Sequence, residues 1–408
     1  MVANCHRSPR LRLGDAMFII LYAFLFSMGS IISDPKPLEP DFIPSELAHR
    51  EREMKNLQRM FYPVIQYSSP ANAMVMGKSG IGKTVLSKRF MKWLEEEATT
   101  NKRNIKIVYL SCLNIRSDYS IMLSVMKQIN SNYSAKGTSI DIVKEDFKRY
   151  MNENPALHLV LILDEANLMM NDTQLIGYLT RAKALDIGTI SLILISIVDV
   201  RDKMSPGERS SFGEYTLVHL RKYNRDQLSD IINQRITLSL HDSAITDGAR
   251  KLILDGACER EDARVGIELL RKSAHAAEKD AVEQILPDHV RLAKADSYPW
   301  VSISKIAALE FDVQLLLFTI AECLRKDEAY IGTDVLKDFY ADACSRNDVM
   351  VNRDIYFKNL EVLKREGFVD IYKMKGLASL ISLPDCPAYG VEEMVLEVWK
   401  RTRQKYTA

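Results

Sequence analysis

The stretch Gly77-Lys78-Ser79-Gly80-Ile81-Gly82-Lys83-Thr84 constrains this chain more than any other. It fits G-x-x-x-x-G-K-[ST], and it lies between an apolar run expected as a strand (73–77) and an amphipathic run expected as a helix (83–97). Glycines at those places let successive backbone N–H groups turn inward, and the helix start adds its positive dipole end, so the loop is built to hold phosphate oxygens. Lys83 is expected to reach the β- and γ-phosphates and Thr84 to offer its hydroxyl oxygen to Mg²⁺, with Val85 completing the nucleotide-binding positions. A chain with this loop must run strand, tight turn and helix in succession.

The sequence that follows keeps that rhythm. IKIVYLS (105–111), LHLVLILD (157–164), TISLILIS (189–196) and YTLVHL (215–220) read as strands, with helices expected at 119–131, 140–151 and 173–184. Strands alternating with helices indicate a parallel, doubly wound α/β sheet, and the unbroken apolar run at 157–163 is what a strand buried on both faces requires. From 224 the strand signals stop. Helices are expected at 224–238, 243–256, 262–278 and 287–294, a composition shift that marks a small all-helical domain. After SYPWV (297–301) comes a third unit of helices that ends in a Gly/Pro-punctuated stretch. The expected division is 1–34 as an N-terminal segment, 35–221 as the nucleotide-binding base, 222–298 as a helical lid and 299–408 as the last domain.

Composition narrows the class. Among 408 residues, 55 Lys and Arg stand against 54 Asp and Glu, which excludes a globally basic nucleic-acid coat and makes any DNA binding local. Six scattered Cys, without a CxxC pair or zinc spacing, point to reduced thiols and an intracellular compartment. The N-terminus is the exception. AMFIILYAFLFSMGSII (16–32) follows the basic HRSPRLR (6–12), the pattern of a signal peptide or short membrane anchor. Two readings stand: an anchored ATPase, or a start placed too far upstream, with Met28 opening the shorter chain. The second is preferred, and no membrane partner is expected.

The site's acidic half is LVLILDE (159–165). A buried strand ends in Asp164, placed to hold Mg²⁺, and Glu165 beside it is placed to orient or deprotonate the attacking water. Ser196 ends the next long strand, followed by Ile197 and Val198, with Asp199 the first acidic group. In the helical domain, Arg264 opens a helix, unfavourable to the dipole unless an anion such as the triphosphate faces it.

Together these features resemble an AAA+ ATPase with a helical lid. PDFIPSELAHRERE (40–53), YLSC (109–112), LDEANLM (163–169) and EDARVGIELLRKSAHAAEKD (261–280) resemble, more narrowly, the archaeal origin-recognition and helicase-loader initiators, relatives of the eukaryotic origin recognition complex subunits. The resemblance covers about 29–408. It implies ATP/ADP and Mg²⁺ as cofactors, Glu165, Lys83, Arg264 and Arg209 in catalytic roles, and Thr84 and Asp164 as metal ligands. It also implies that Phe42, Ile43, Pro44, His49 and Arg50 close over the adenine and ribose. Two departures matter. Ile197 stands where most relatives carry Asn, which implies slow hydrolysis. Gly207 stands where the intersubunit arginine finger is expected, and Arg209, two residues on, is the substitute.

The same resemblance makes the last domain a winged helix, with helices at 311–324 and 335–345, a recognition helix at 352–369 and a wing at about 369–383. Arg353 and Lys358 on that helix and Lys373 and Lys375 in the wing are the DNA-binding candidates, while Tyr356 and Phe357 read as core. Residues 301–408 hold 15 Lys and Arg against 17 Asp and Glu, so affinity must rest on a concentrated patch. The implied function is an ATP/ADP switch, cytoplasmic and nucleoid-associated, that binds double-stranded origin DNA and helps load the replicative minichromosome-maintenance helicase, alone or with other initiator protomers. A nucleotide-regulated adaptor without origin specificity is the alternative.

Overall fold

The computed structural model describes residues 30–134, 137, 139–169, 174–214, 216–295, 302–325, 327–350, 353–373, 378–384 and 386–407, the last five as backbone only. The described residues form two compact units, one within 41–231 with 261–263, the other within 30–40, 232–260 and 264–407.

The first unit is built on five parallel strands: β1 (Asn72–Met76), β2 (Ile105–Ser111), β3 (His158–Asp164), β4 (Thr189–Ser196) and β5 (Leu217–His219), in the order β2-β3-β4-β1-β5. Helices α1 (Glu51–Tyr67), α2 (Lys83–Thr100), α3 (Asp118–Ile129), α4 (Ile140–Glu153), α5 (Gln174–Thr180) and α6 (Pro206–Phe212) cover it. Every residue of β3 is buried, and its side chains alternate between two cores. Leu159, Leu161 and Leu163 pack with Val125, Phe147 and Leu175, whereas Val160 and Ile162 pack with Phe61, Leu86 and Phe90. The apolar run therefore reflects helices on both faces of a parallel sheet.

A helix over 45–61 with Ser45 as its cap is not what forms. The helix opens at Glu51, because His49 takes a left-handed φ of 61° and Arg50 sits at the cap position without a side-chain cap. Burial of Arg50 and its backbone partners outweighs the local capping signal of Ser45.

The second unit carries α7 (Arg225–Ser239, shared at its start with the first), α8 (Asp247–Arg260), α9 (Ala263–Lys279) and α10 (Pro287–Ala295). Residues 30–40 belong here too: Ile32 bridges Leu240, Ile31 is buried, and the Arg235 guanidinium donates to the Pro37 carbonyl at 3.1 Å. The apolar run at 16–32 thus ends in a packed bridge, and its residues up to 29 lie outside the described ones. Among the described residues no helix is long and apolar enough to cross a membrane.

The C-terminal domain contains α11 (Ile303–Ala307), α12 (Phe311–Cys323), β6 (Ile331–Gly332), α13 (Thr333–Arg346), α14 (Arg353–Arg365), β7 (Asp370–Tyr372), β8 (Leu380–Ser382) and α15 (Ala388–Thr407). Its strands form an antiparallel sheet in the order β6-β8-β7, a winged-helix arrangement. The Gly/Pro-punctuated ending expected from sequence is instead the 20-residue α15. Pro384 and Pro387 precede that helix, and Gly390 lies within its first turn. Val391, Val395 and Val398 then bury one stripe, and Trp399 packs on Phe311 and Phe318.

One arginine joins α10 to this domain. Arg291 is fully buried, pairs with Asp288 at 2.8 Å, and donates to the carbonyls of Leu324, Glu328 and Ala329 at 3.0–3.2 Å. Asp288 also accepts from the Ala388 N–H at 2.8 Å. Burial pulls the Arg291 pKa below its ordinary value. A charge taken out of water needs partners of this kind, and here the two terminal nitrogens have them while the buried Nε has none.

Candidate nucleotide site and nucleic-acid face

The loop after β1 is set by backbone geometry. Gly80 and Gly82 have φ of 78° and 89°, the left-handed region that costs glycine nothing. A Cβ on Gly80 would also lie 2.1 Å from the Asp262 carboxyl carbon. Lys83, the first residue of α2, folds its ammonium back onto the Lys78 carbonyl at 2.7 Å. The exposed Lys78 and Ser79 and the buried Ile81 complete the loop, and Val85 lies in the first turn of α2.

Three donors converge on Asp164, which is 6% exposed at the end of β3. The Thr84 hydroxyl donates to Oδ2 at 2.9 Å, the Tyr109 hydroxyl donates to the same oxygen, and the Glu165 N–H donates to Oδ1 at 2.8 Å. Burial first, and then its bond to Asp164, raises the Tyr109 pKa, so this phenol stays a donor. Glu165 itself has a left-handed φ of 57°, uncommon for a residue with a side chain, and its Oε2 is buried without a hydrogen-bond partner. Strain and an unsatisfied carboxylate oxygen are characteristic of a functional position. Burial, with Asp164 and Glu165 adding to it, pushes the Cys112 thiol up to about 11, so it stays protonated.

The other expected residues are distributed more widely. Arg50 is 4% exposed and donates to the carbonyls of Ile81 (3.0 Å) and Arg221 (2.8 Å), its guanidinium 3.9 Å from the Tyr223 ring centre. It ties the segment before α1 to the phosphate loop. His49 Nε2 lies 2.8 Å from the Asp230 carboxylate, while Phe42 and Ile43 are half-buried and Pro44 is buried. Arg209, on α6, donates to the Arg201 carbonyl at 2.7 Å, and Asp199 is engaged by Arg201. Arg264 is the second residue of α9 and exposed. Sequence reasoning passed over Tyr109 and Asn167. Tyr109 was legible as the one polar aromatic in β2, whereas Asn167 is revealed only by its contact with the tip of β4, whose Ser196 hydroxyl donates to it at 3.3 Å.

On α14, Arg353 and Lys358 are exposed, as is Lys373 after β7; Lys375 lies outside the described residues. Lys358 lines a surface groove that also holds Lys305, Asp312, Arg365 and Glu366. Tyr356 is core, as expected. Phe357 is not: it is 44% exposed, with the Arg353 guanidinium 5.9 Å from its ring centre. Tyr356 already fills the inward position, so its neighbour on the helix turns out.

Family models match twice: residues 229–295 fit a Cdc6 AAA+ ATPase-type lid domain and residues 66–204 an AAA domain. An ORC1-type DNA replication protein of Methanosphaera stadtmanae is 29% identical over 350 residues, 84% of this chain and 90% of that one. The ORC1-type DNA replication protein 1 of Sulfurisphaera tokodaii is 27% identical over 77% of this chain and 79% of its own. The chain is thus similar, in its AAA domain, its lid and over most of its length, to the ORC1/Cdc6-type AAA+ ATPases. The fold agrees with that of Cdc6p from Pyrobaculum aerophilum, at a TM-score of 0.72 and 22% identity, covering 91% of this chain and 99% of that one. The Aeropyrum pernix ORC1 protein, solved in complex with DNA, matches at a TM-score of 0.60 and 22% identity, over 90% and 97% of the two chains.

Proposed function

We propose that this ORC1/Cdc6-like ATPase initiates DNA replication: it binds double-stranded origin DNA and helps recruit or load the replicative minichromosome-maintenance helicase, with bound ATP or ADP as the switch. It would act in the cytoplasm at the nucleoid, with other initiator protomers as further partners. The observation that carries the nucleotide half is the convergence of Thr84, Tyr109 and the Glu165 N–H on Asp164 beside a glycine cradle. Thr84 Oγ1 and Asp164 Oδ2, 2.9 Å apart, are the hard oxygen donors that suit Mg²⁺, which would offset the phosphate charge there. Lys83 binds the phosphates. Glu165, with its unpartnered oxygen, takes the proton of the attacking water. Arg50 shapes the adenine side through the Ile81 backbone, with Phe42, Ile43 and His49 nearer the base, while Arg264 and Arg209 supply positive charge from the lid and from a neighbouring protomer. Ile197 in place of a polar residue supports slow turnover and long retention of ADP.

The DNA half rests on the winged helix, the names of the relatives and the DNA held by the Aeropyrum protein. Arg353, Lys358, Lys373 and Lys375 are the contacts proposed. A second reading, a nucleotide-regulated adaptor without origin specificity, is favoured by the mixed charges around Lys358. Footprinting on the native origin region decides between them: a protected sequence supports the initiator, and weak, sequence-independent binding supports the adaptor. Rapid ATP turnover without DNA would sink the slow-switch reading.

A further inference from the structure

The residue that follows β4, Ile197, offers no polar side chain at the place where one is useful. Ile197 is 51% exposed and can neither donate nor accept through its side chain. The tip of β4 nevertheless abuts the phosphate loop, because the Ser196 carbonyl accepts from the Gly77 N–H at 3.2 Å. Asn167 reaches this tip from the turn after β3. Its Oδ1 accepts from the Ser196 hydroxyl at 3.3 Å and from the Ile197 N–H at 3.4 Å. The Ser196 hydroxyl also accepts from the Val198 N–H at 3.1 Å, while its own proton is directed to Asn167. Two donors on one oxygen fix which end of the amide faces β4. The Nδ2 group, with two N–H donors, therefore faces the other way. Asn167 also shares a turn with Glu165, whose carbonyl accepts from the Leu168 N–H at 2.9 Å.

We infer that Asn167 supplies the N–H donor that Ile197 cannot, holding the attacking water in line with the γ-phosphate beside Glu165. This rests on the hydrolytic reading above. In that reaction the water oxygen bonds to the γ-phosphorus, the bond from phosphorus to the leaving ADP oxygen breaks, and the water proton passes to the Glu165 carboxylate. Asn167 exchanges no proton and is a positioning residue.

Asn167→Asp separates this role from a structural tie, because aspartate keeps the acceptor for Ser196 and Ile197 and loses the donor. Single-turnover ATP hydrolysis by the full chain should fall about 10²-fold in both Asn167→Asp and Asn167→Ala, with fluorescent-ADP affinity within about 2-fold of the parent. Adding Ile197→Asn to Asn167→Ala should restore most of the rate. Retention of the rate in Asn167→Asp would overturn the assignment, as would loss of ADP affinity in step with the rate, or absence of rescue. A parent protein that binds ADP but never turns ATP over would overturn both this assignment and the hydrolytic reading. A parent that turns over while its Asn167 variants are indifferent removes this assignment alone.

Discussion

At the end of β3, three donors meet on one buried carboxylate; along α14, exposed cations stand among carboxylates and an exposed phenylalanine. The first arrangement is fixed by backbone: the loop follows β1, Asp164 ends β3, and positive-φ glycines leave room for phosphate. The second is fixed by side chains on a solvated face, where one charge changes little about the fold. A nucleotide site of this kind is costly to alter and announces itself by spacing. A DNA face can drift in sequence while the winged helix beneath it stays intact.

The contrast can be broken at its strong end first. Glu165→Gln should slow ATP hydrolysis by about 10²–10⁴-fold while leaving ADP binding near the parent value, as read by single-turnover kinetics and fluorescent-ADP titration. Equal loss of both would mean that Glu165 supports the loop rather than the reaction. Lys83→Ala should weaken ADP binding about 10²-fold or more and leave the far-ultraviolet circular dichroism unchanged.

Stability tests come next. Asp288→Ala leaves Arg291 buried without its carboxylate and should cost about 3–5 kcal/mol, seen as a lower denaturation midpoint of the lid and winged helix. In the parallel-sheet unit, His158 is buried against the Ser191 hydroxyl at 2.8 Å, and burial lowers its pKa to about 4. Its folded pKa lies below the unfolded value of about 6.5, so its stabilisation is complete above that pH and is lost as pH falls towards 4, by up to about 3 kcal/mol. His158→Gln should flatten that part of the stability profile; an unchanged slope would remove His158 from the account.

The smallest effect belongs to the proposed DNA face. Arg353→Ala with Lys358→Ala should weaken DNA binding about 10-fold at moderate salt and reduce the slope of log affinity against log salt by about 1–2. No change in slope would exclude both side chains as phosphate contacts and favour the adaptor reading.

What could be read in advance follows the same division. Strand β4 is found where its apolar run put it, at 189–196, because a buried parallel strand has few alternatives. The phosphate loop was legible for a similar reason, since glycine positions report backbone shape. The start of α1 was not, because Ser45 offers a local cap whereas the actual start depends on Arg50 reaching Ile81 and Arg221, 31 and 171 residues away. The prolines and Gly390 masked α15, although Val391, Val395 and Val398 recur at helical spacing. Asn167 was hidden by distance along the chain, its partners lying 29 and 30 residues later.

Arg291 bears on how this protein can be divided. Cutting after residue 295 would take away the carbonyls of Leu324, Glu328 and Ala329, and would strip Asp288 of the Ala388 N–H. Both resulting pieces would change: one would bare a guanidinium and the apolar surface around it, and the other would bare the carbonyls that had received it. Helices α8 to α10 and the winged helix are therefore best kept together when the protein is fused or exchanged with relatives. A swap of the winged helix alone would have to rebuild the partners of that guanidinium on the new domain.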